Sequence, residues 1–248
     1  MGGEPTEHPQ FDKICYLYQK YFPESQCGLW TSGGKYYKKY KELIDQTFAI
    51  LVFNDRTKNI SYHRPPLIAL KDVIEDKVLL DKLIDSCWLQ HRWSPSITYK
   101  GAFFCEVAAT QDLLFKGEGG FALEKGWWKK EPPQFRNQVD KFCYQCGIPL
   151  PIQSKNSTTN IELVSESNAK KLLSVVSPAA LRKKIRIHNN IYSKEDINLM
   201  ENSISRPPYL PSYSHDHRHQ TRFSYVRLPK NALKWMEEQI KFGSVKRF

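Results

Sequence analysis

Gly28-Leu29-Trp30-Thr31-Ser32-Gly33-Gly34 and Phe48-Ala49-Ile50-Leu51-Val52-Phe53-Asn54-Asp55 bracket a helix-like segment, and this order decides the fold class. The first stretch reads as a short strand closed by a Ser-Gly-Gly turn. The second is a continuous apolar run, the pattern of a strand buried on both faces, and it ends in polar residues. Between them, Lys35 to Asp45 sets Tyr36, Tyr40, Leu43 and Ile44 on one side of a helix. Upstream, Asp12 to Phe22 places Ile14, Tyr18, Tyr21 and Phe22 near helical spacing, and Pro23 ends the segment. Helix, strand, helix, strand predicts α/β units around a parallel sheet.

Downstream the pattern changes. Val78 to Cys87 reads as a helix, and Ile97 to Cys105 as a hairpin turning at Lys100-Gly101. Val107 to Phe115 and Gln134 to Phe142 read as further helices, the second delivering Cys143. Pro149-Leu150-Pro151 breaks the chain, and residues 153–160 form a polar linker. Beyond Ile161 the periodicity predicts helices over Ser167–Val176 and Lys194–Ser203. A loop rich in proline, tyrosine and histidine (Arg206–Arg222) and a last helix (Lys230–Lys241) follow. There is no internal repeat.

Four of the six cysteines fall within this middle region: Cys87, Cys105 in Gly101-Ala-Phe-Phe-Cys, and Cys143-Tyr-Gln-Cys146-Gly. A C-x-x-C turn followed by glycine aims two thiolates at one point, and two further cysteines complete a tetrahedral sulfur set for an ion or a cluster. The bland reading is four small buried hydrophobes. Cys15 and Cys27 are read that way. Trp88, Trp93, Trp127 and Trp128 are read as core residues that would also shield a centre from water. Ser214-His215-Asp216-His217-Arg218-His219 alternates imidazoles in a loop and is read as exposed rather than as a metal site.

The formal net charge of +11 and an isoelectric point near 9.3 favour an anionic partner, either nucleic acid or an anionic substrate. The basic residues are scattered, and no nucleic-acid motif accompanies them. With a mean hydropathy of −0.57 and no apolar run near eighteen residues, no membrane partner is expected. The first residues lack the basic and apolar parts of a secretory signal, so a soluble, cytoplasmic protein with reduced thiols is the expectation. No Walker loop, G-x-S-x-G or H-E-x-x-H occurs.

The N-terminal Gly2-Gly3-Glu4-Pro5 resembles the Gly-Gly-Glu-Pro motif of radical S-adenosylmethionine (SAM) enzymes. There it ends the second strand of a partial (β/α) barrel and meets the amino group of the cofactor. Thr31-Ser32-Gly33 is similar to the sequence that ends the third strand in that family, and the fourth strand would end at Asn54 or Asp55. The resemblance implies cofactor contacts at Gly2, Gly3, Glu4, Pro5, Ser32 and Asn54, on the rim where strand C-termini converge. The cysteine region resembles the SPASM and twitch extensions of the same family, which implies an auxiliary 4Fe-4S cluster on Cys87, Cys105, Cys143 and Cys146. Structural zinc is the alternative metal.

One departure is central. The family holds its catalytic cluster on a C-x-x-x-C-x-x-C loop, and this sequence contains none. The expectation is a chain lacking its N-terminal portion and inactive as it stands. The expected fold is α/β, an incomplete (β/α) radical-SAM-type partial barrel over 1–86. A small cysteine-ligated α+β extension over 87–151 and a mainly helical tail over 152–248 follow. Two rivals are a zinc-stabilised basic module binding nucleic acid or another anionic partner, and a paralogue that holds the cofactor without cleaving it.

Overall fold

The computed structural model describes residues 4–22, 27–54, 62–63, 65–87, 89, 95–130, 132–152, 155–156, 161–203 and 223–227. The chain mixes helices with small sheets, and among the described residues no sheet closes into a barrel. It divides into two compact units, one drawn from 2–60 with 206–248 and the other from 61–205.

In the first unit the helix Phe11–Tyr21 buries Phe11 and Cys15, four residues apart on one face, against Cys27, Leu29, Ile44, Phe48 and Leu51. Strand Gly28–Thr31 runs parallel to Ile50–Asn54, with Gly28 opposite Ile50 and Thr31 opposite Phe53. Their C-terminal ends therefore share one sheet edge. A third strand, Phe223–Arg227, pairs antiparallel with Ile50–Asn54 and shifts register between Phe53 and Asn54. It adds an antiparallel member to a sheet expected to be parallel. The helix expected over Lys35–Asp45 begins only at Lys41 and runs to Thr47. Residues 35–40 are turns. Lys35, Lys38, Lys39 and Lys41 would stack like charges three and four apart on a helix, whereas in the turns Lys35 and Lys39 lie over tyrosine rings.

The second unit has the larger core. Helix Lys77–Asp85 is capped by Asp76, whose carboxylate accepts from Val78 N and Leu79 N at 2.8 and 3.2 Å. It buries Leu79, Leu80, Leu83 and Ile84, at the i, i+3, i+4 spacing of a core-facing stripe. These side chains pack with Ile68, Leu70, Phe103, Phe104, Phe142 and all four clustered cysteines. A fully buried leucine, isoleucine or phenylalanine contributes about 1.5–3 kcal/mol. The hairpin forms where the pattern places it, Ser96–Thr98 pairing with Gly101–Phe103. Gly101 has φ +119°, and a Cβ there would meet Phe121 O at 2.5 Å, so no other residue fits that turn.

Helices Glu106–Leu114 and Arg136–Phe142 follow, the second preceded by a 3-10 turn, Pro132–Phe135. The region beyond 152 contains helices Glu166–Ser174, Pro178–Leu181 and Lys194–Ser203. It also carries short strands at Lys155–Asn156, Glu162–Val164 and Ile185–Ile187, so it is more mixed than a mainly helical tail. The expected helix over 230–241 and the histidine loop lie outside the described residues. No helix among the described residues is long and apolar enough to cross a membrane.

Candidate metal centre

Cys87, Cys105, Cys143 and Cys146 line a single pocket. Each is at least nine-tenths buried, and none of the six cysteines is in a disulfide. Three separate pieces of chain deliver these residues. Cys87 follows helix Lys77–Asp85, its N–H donating to Ile84 O at 3.1 Å. Cys105 leaves the hairpin as the N-cap of helix Glu106–Leu114. Helix Arg136–Phe142 ends in a 3-10 turn, Cys143–Gln145, closed by Cys146 N donating to Cys143 O at 3.1 Å. Gly147 then passes so close to the 65–68 loop that a Cβ would lie 2.4 Å from Pro65 O and 2.7 Å from Ile68 O. The glycine after the C-x-x-C is thus required by the approach of two backbones.

Three amide side chains that carry no mark in the sequence hold or face this assembly. Gln138 accepts from Phe104 N at 3.0 Å and donates to Ala102 O at 3.1 Å, fixing the strand that leads to Cys105 against the helix that leads to Cys143. Asn168 Nδ2 donates to Gln145 O and Leu67 O, both at 2.9 Å, tying the C-x-x-C turn to the neighbouring loop. Gln111, 3% exposed, lines the pocket itself. Buried amides with no periodicity of their own give no sequence signal. Only their neighbours reveal them.

Burial governs the thiols. It pushes Cys105 up to about 11, against the pull of the Ala108 and Val107 N–H groups, which favour the thiolate; Cys87 and Glu106 add to the rise. Cys143 is raised by burial first, then by Cys146, Cys87 and Cys105. Cys146 is raised by burial, opposed by the Ile148 N–H, which donates to its Sγ at 3.4 Å. Mutual repulsion appears in all three cases, as expected for sulfurs that share a site.

A metal reverses this balance, because it binds thiolates and displaces their protons. As the side chains stand, no three His, Cys, Asp or Glu groups among the described residues are arranged to hold a metal ion. The four cysteines line a common space. Donor type, donor number and enclosure fit a sulfur-ligated group. A single zinc would require the sulfurs to draw in to about 2.3 Å from one centre.

The second set of expected site residues lies in the other unit. Glu4 caps the 3-10 turn Pro5–Glu7, and its carboxylate accepts five hydrogen bonds. Oε1 accepts from Thr6 N, Thr6 Oγ1 and Thr31 Oγ1, and Oε2 from Ser32 N and Ser32 Oγ, the last two at 2.7 Å. Burial raises the carboxyl's affinity for a proton, but the donors from Thr31, Ser32 and Thr6 outweigh it and hold the pKa below the ordinary value. Gly34 is pressed against it, since a Cβ there would sit 2.6 Å from Glu4 Cγ.

Glu4, Pro5 and Ser32 are thus gathered at the C-terminal end of strand Gly28–Thr31. The parallel register brings the Asn54 backbone to the same edge. Gly2 and Gly3 lie outside the described residues, as do Trp88 and Trp93. Trp127 is buried.

Comparison of the chain with protein-family models, with curated proteins and with solved structures found no match in any of the three. The functional reading therefore rests on the two sites themselves.

Proposed function

We propose that the chain is an iron-sulfur protein of the radical SAM type, in which Cys87, Cys105, Cys143 and Cys146 ligate an auxiliary 4Fe-4S cluster. The single observation that carries this reading is the shared, buried pocket of four thiols contributed by three chain segments. When bound, such a cluster supplies one-electron chemistry or a site of attachment for substrate. The chain's own residues exclude water through Phe104, Phe142 and Ile148, fix the ligands through Gln138 and Asn168, and stabilise the Cys146 thiolate through the Ile148 N–H.

The cofactor half of the proposal rests on the shared edge of two parallel strands, where Glu4, Pro5, Ser32 and the Asn54 backbone assemble. It would be the rim of a partial barrel, with Gly2 and Gly3 completing the contact to S-adenosylmethionine. Glu4 already accepts five internal hydrogen bonds, so an ammonium group must add to or displace them. Reductive cleavage is not assigned to this sequence, which holds no C-x-x-x-C-x-x-C. A cytoplasmic setting, where thiols stay reduced, belongs to the same proposal.

A second reading draws on the basic, aromatic surface at 35–40, where Lys35 lies over Tyr36 and Lys39 over Tyr36 and Tyr40. Such a surface suits a zinc-stabilised module that binds nucleic acid or another anion. Anaerobic reconstitution with iron and sulfide separates the two. The cluster reading expects a brown protein with about four irons and four sulfides per chain. One tightly held zinc, with salt-sensitive nucleic-acid binding, supports the second reading and removes the first.

A further inference from the structure

Gln111 stands on the helix that Cys105 caps, and Val107, Ala108 and Gln111 form the side of that helix that faces the cysteine pocket. Its Nε2 is fully buried and meets no hydrogen-bond acceptor among the described residues. Apart from the four thiols, the rest of the pocket wall is apolar, with Leu89, Phe104, Phe142 and Ile148 among its members. An amide N–H buried in apolar surroundings without an acceptor costs free energy, and native proteins rarely leave one so. Among the other side chains that line the pocket, the only acceptors are the cysteine sulfurs.

The same pocket already directs a backbone N–H group at one of its sulfurs. Ile148 N donates to Cys146 Sγ at 3.4 Å. A donor aimed at sulfur favours the thiolate over the thiol.

We infer that Gln111 Nε2 is the side-chain hydrogen-bond donor to the sulfur-ligated centre, where it stabilises the more negative, reduced state and raises the centre's reduction potential. The inference rests on the proposed cluster. Hydrogen bonds to cluster sulfurs are among the terms that set such potentials. Gln111 is a tuning and positioning residue on this view, and it is not a ligand. Its neighbour Asp112 turns away to pair with Lys100 Nζ at 2.6 Å, so the helix separates the two roles by one residue.

The test is a spectroelectrochemical titration, with dithionite as the one-electron reductant, of the reconstituted full chain and of Gln111→Met, which keeps the volume and removes the donor. Poised at the wild-type midpoint, the variant should show a reduced-to-oxidised ratio about tenfold lower, a downward shift of about 59 mV for a one-electron couple. Its iron and sulfide content should be unchanged. Gln111→Glu, which keeps the shape but places an acceptor there, should shift the midpoint in the same direction. A nitrogen and exchangeable-proton coupling in the pulsed EPR spectrum of the reduced wild type should vanish in Gln111→Met. A wild type that binds its cluster while both variants keep its midpoint and its couplings overturns the role of Gln111 alone. A wild type that takes up no iron overturns the cluster reading, and this inference falls with it.

Discussion

Replacing Gly147 with alanine isolates the close approach on which the C-x-x-C turn depends. The added Cβ would lie 2.4 Å from Pro65 O and 2.7 Å from Ile68 O, with Ile68 Cβ at 3.2 Å. Both short contacts are to backbone oxygens, which cannot swing aside as a side chain can. The turn must withdraw by about 0.6 Å merely to reach the 3.0 Å that real Cβ atoms respect. Overpacking of this kind costs about 1–3 kcal/mol. Withdrawal also stretches the bond from Gly147 N to Pro66 O, now 3.0 Å, which contributes about 1 kcal/mol.

The expected destabilisation is therefore about 2–4 kcal/mol. With a urea m-value of about 2 kcal/mol/M, the unfolding midpoint should fall by about 1–2 M. Circular dichroism during urea titration of the metal-free protein measures it. Gly126→Ala is the internal comparison. Gly126 has φ +85° with the nearest foreign atom only at 4.0 Å, so conformational strain acts there without crowding and the cost should be about 1 kcal/mol. A Gly147→Ala variant within about 0.5 kcal/mol of the wild type, the range of ordinary surface substitutions, would refute the argument that glycine is required by contact.

Glu4→Gln should destabilise the chain at neutral pH by about 1–2 kcal/mol, because a carboxamide cannot accept every bond the carboxylate now takes. The folded-state pKa of Glu4 is depressed, so its contribution is present above the unfolded value of about 4.3 and fades as pH falls through the lower folded value. The dependence of stability on pH between about pH 5 and pH 2 should accordingly flatten in the variant. Lys100→Ala should cost about 3 kcal/mol by thermal unfolding, since it strips the closest cation from Asp112, whose side chain is 0% exposed. Burial raises Cys105 to about 11, above the unfolded thiol value of about 8.5. In that window the unfolded state loses its proton first, so the metal-free protein should lose stability from about pH 8.5 to 11. Metal uptake should release protons and strengthen over the same rise, which titration in two buffers of different ionisation enthalpy will show.

Local elements were legible where the signal is local. Leu29 and Thr31 alternate with exposed neighbours in strand Gly28–Thr31, Gly101 sits between two β-prone arms, and Lys194–Ser203 repeats apolar residues at helical spacing. What failed to show depends on partners distant in sequence. Phe223–Arg227 finds its strand partner, Ile50–Asn54, near the other end of the chain, and only the alternation of Phe223 and Tyr225 hints at it. Glu162–Val164 and Ile185–Ile187 pair with each other, yet each is too brief to carry a readable period.

The candidate centre divides along the same line. Cysteines announce themselves by type and spacing, and Cys87, Cys105, Cys143 and Cys146 do share one pocket. Gln111, Gln138 and Asn168 have no such signature, because an amide's role is set by what lies opposite it once the core has formed. Gly147 was visible as the residue after C-x-x-C. Its reason, two carbonyl oxygens from the 65–68 loop, was not.

An anomalous difference map collected at the iron edge, from crystals of the anaerobically reconstituted chain, tests the central claim most directly. The account predicts iron density enclosed by the sulfurs of residues 87, 105, 143 and 146, within bonding distance of all four. Density at any other place, or four unmetallated thiols around an iron-free pocket after reconstitution, would contradict it.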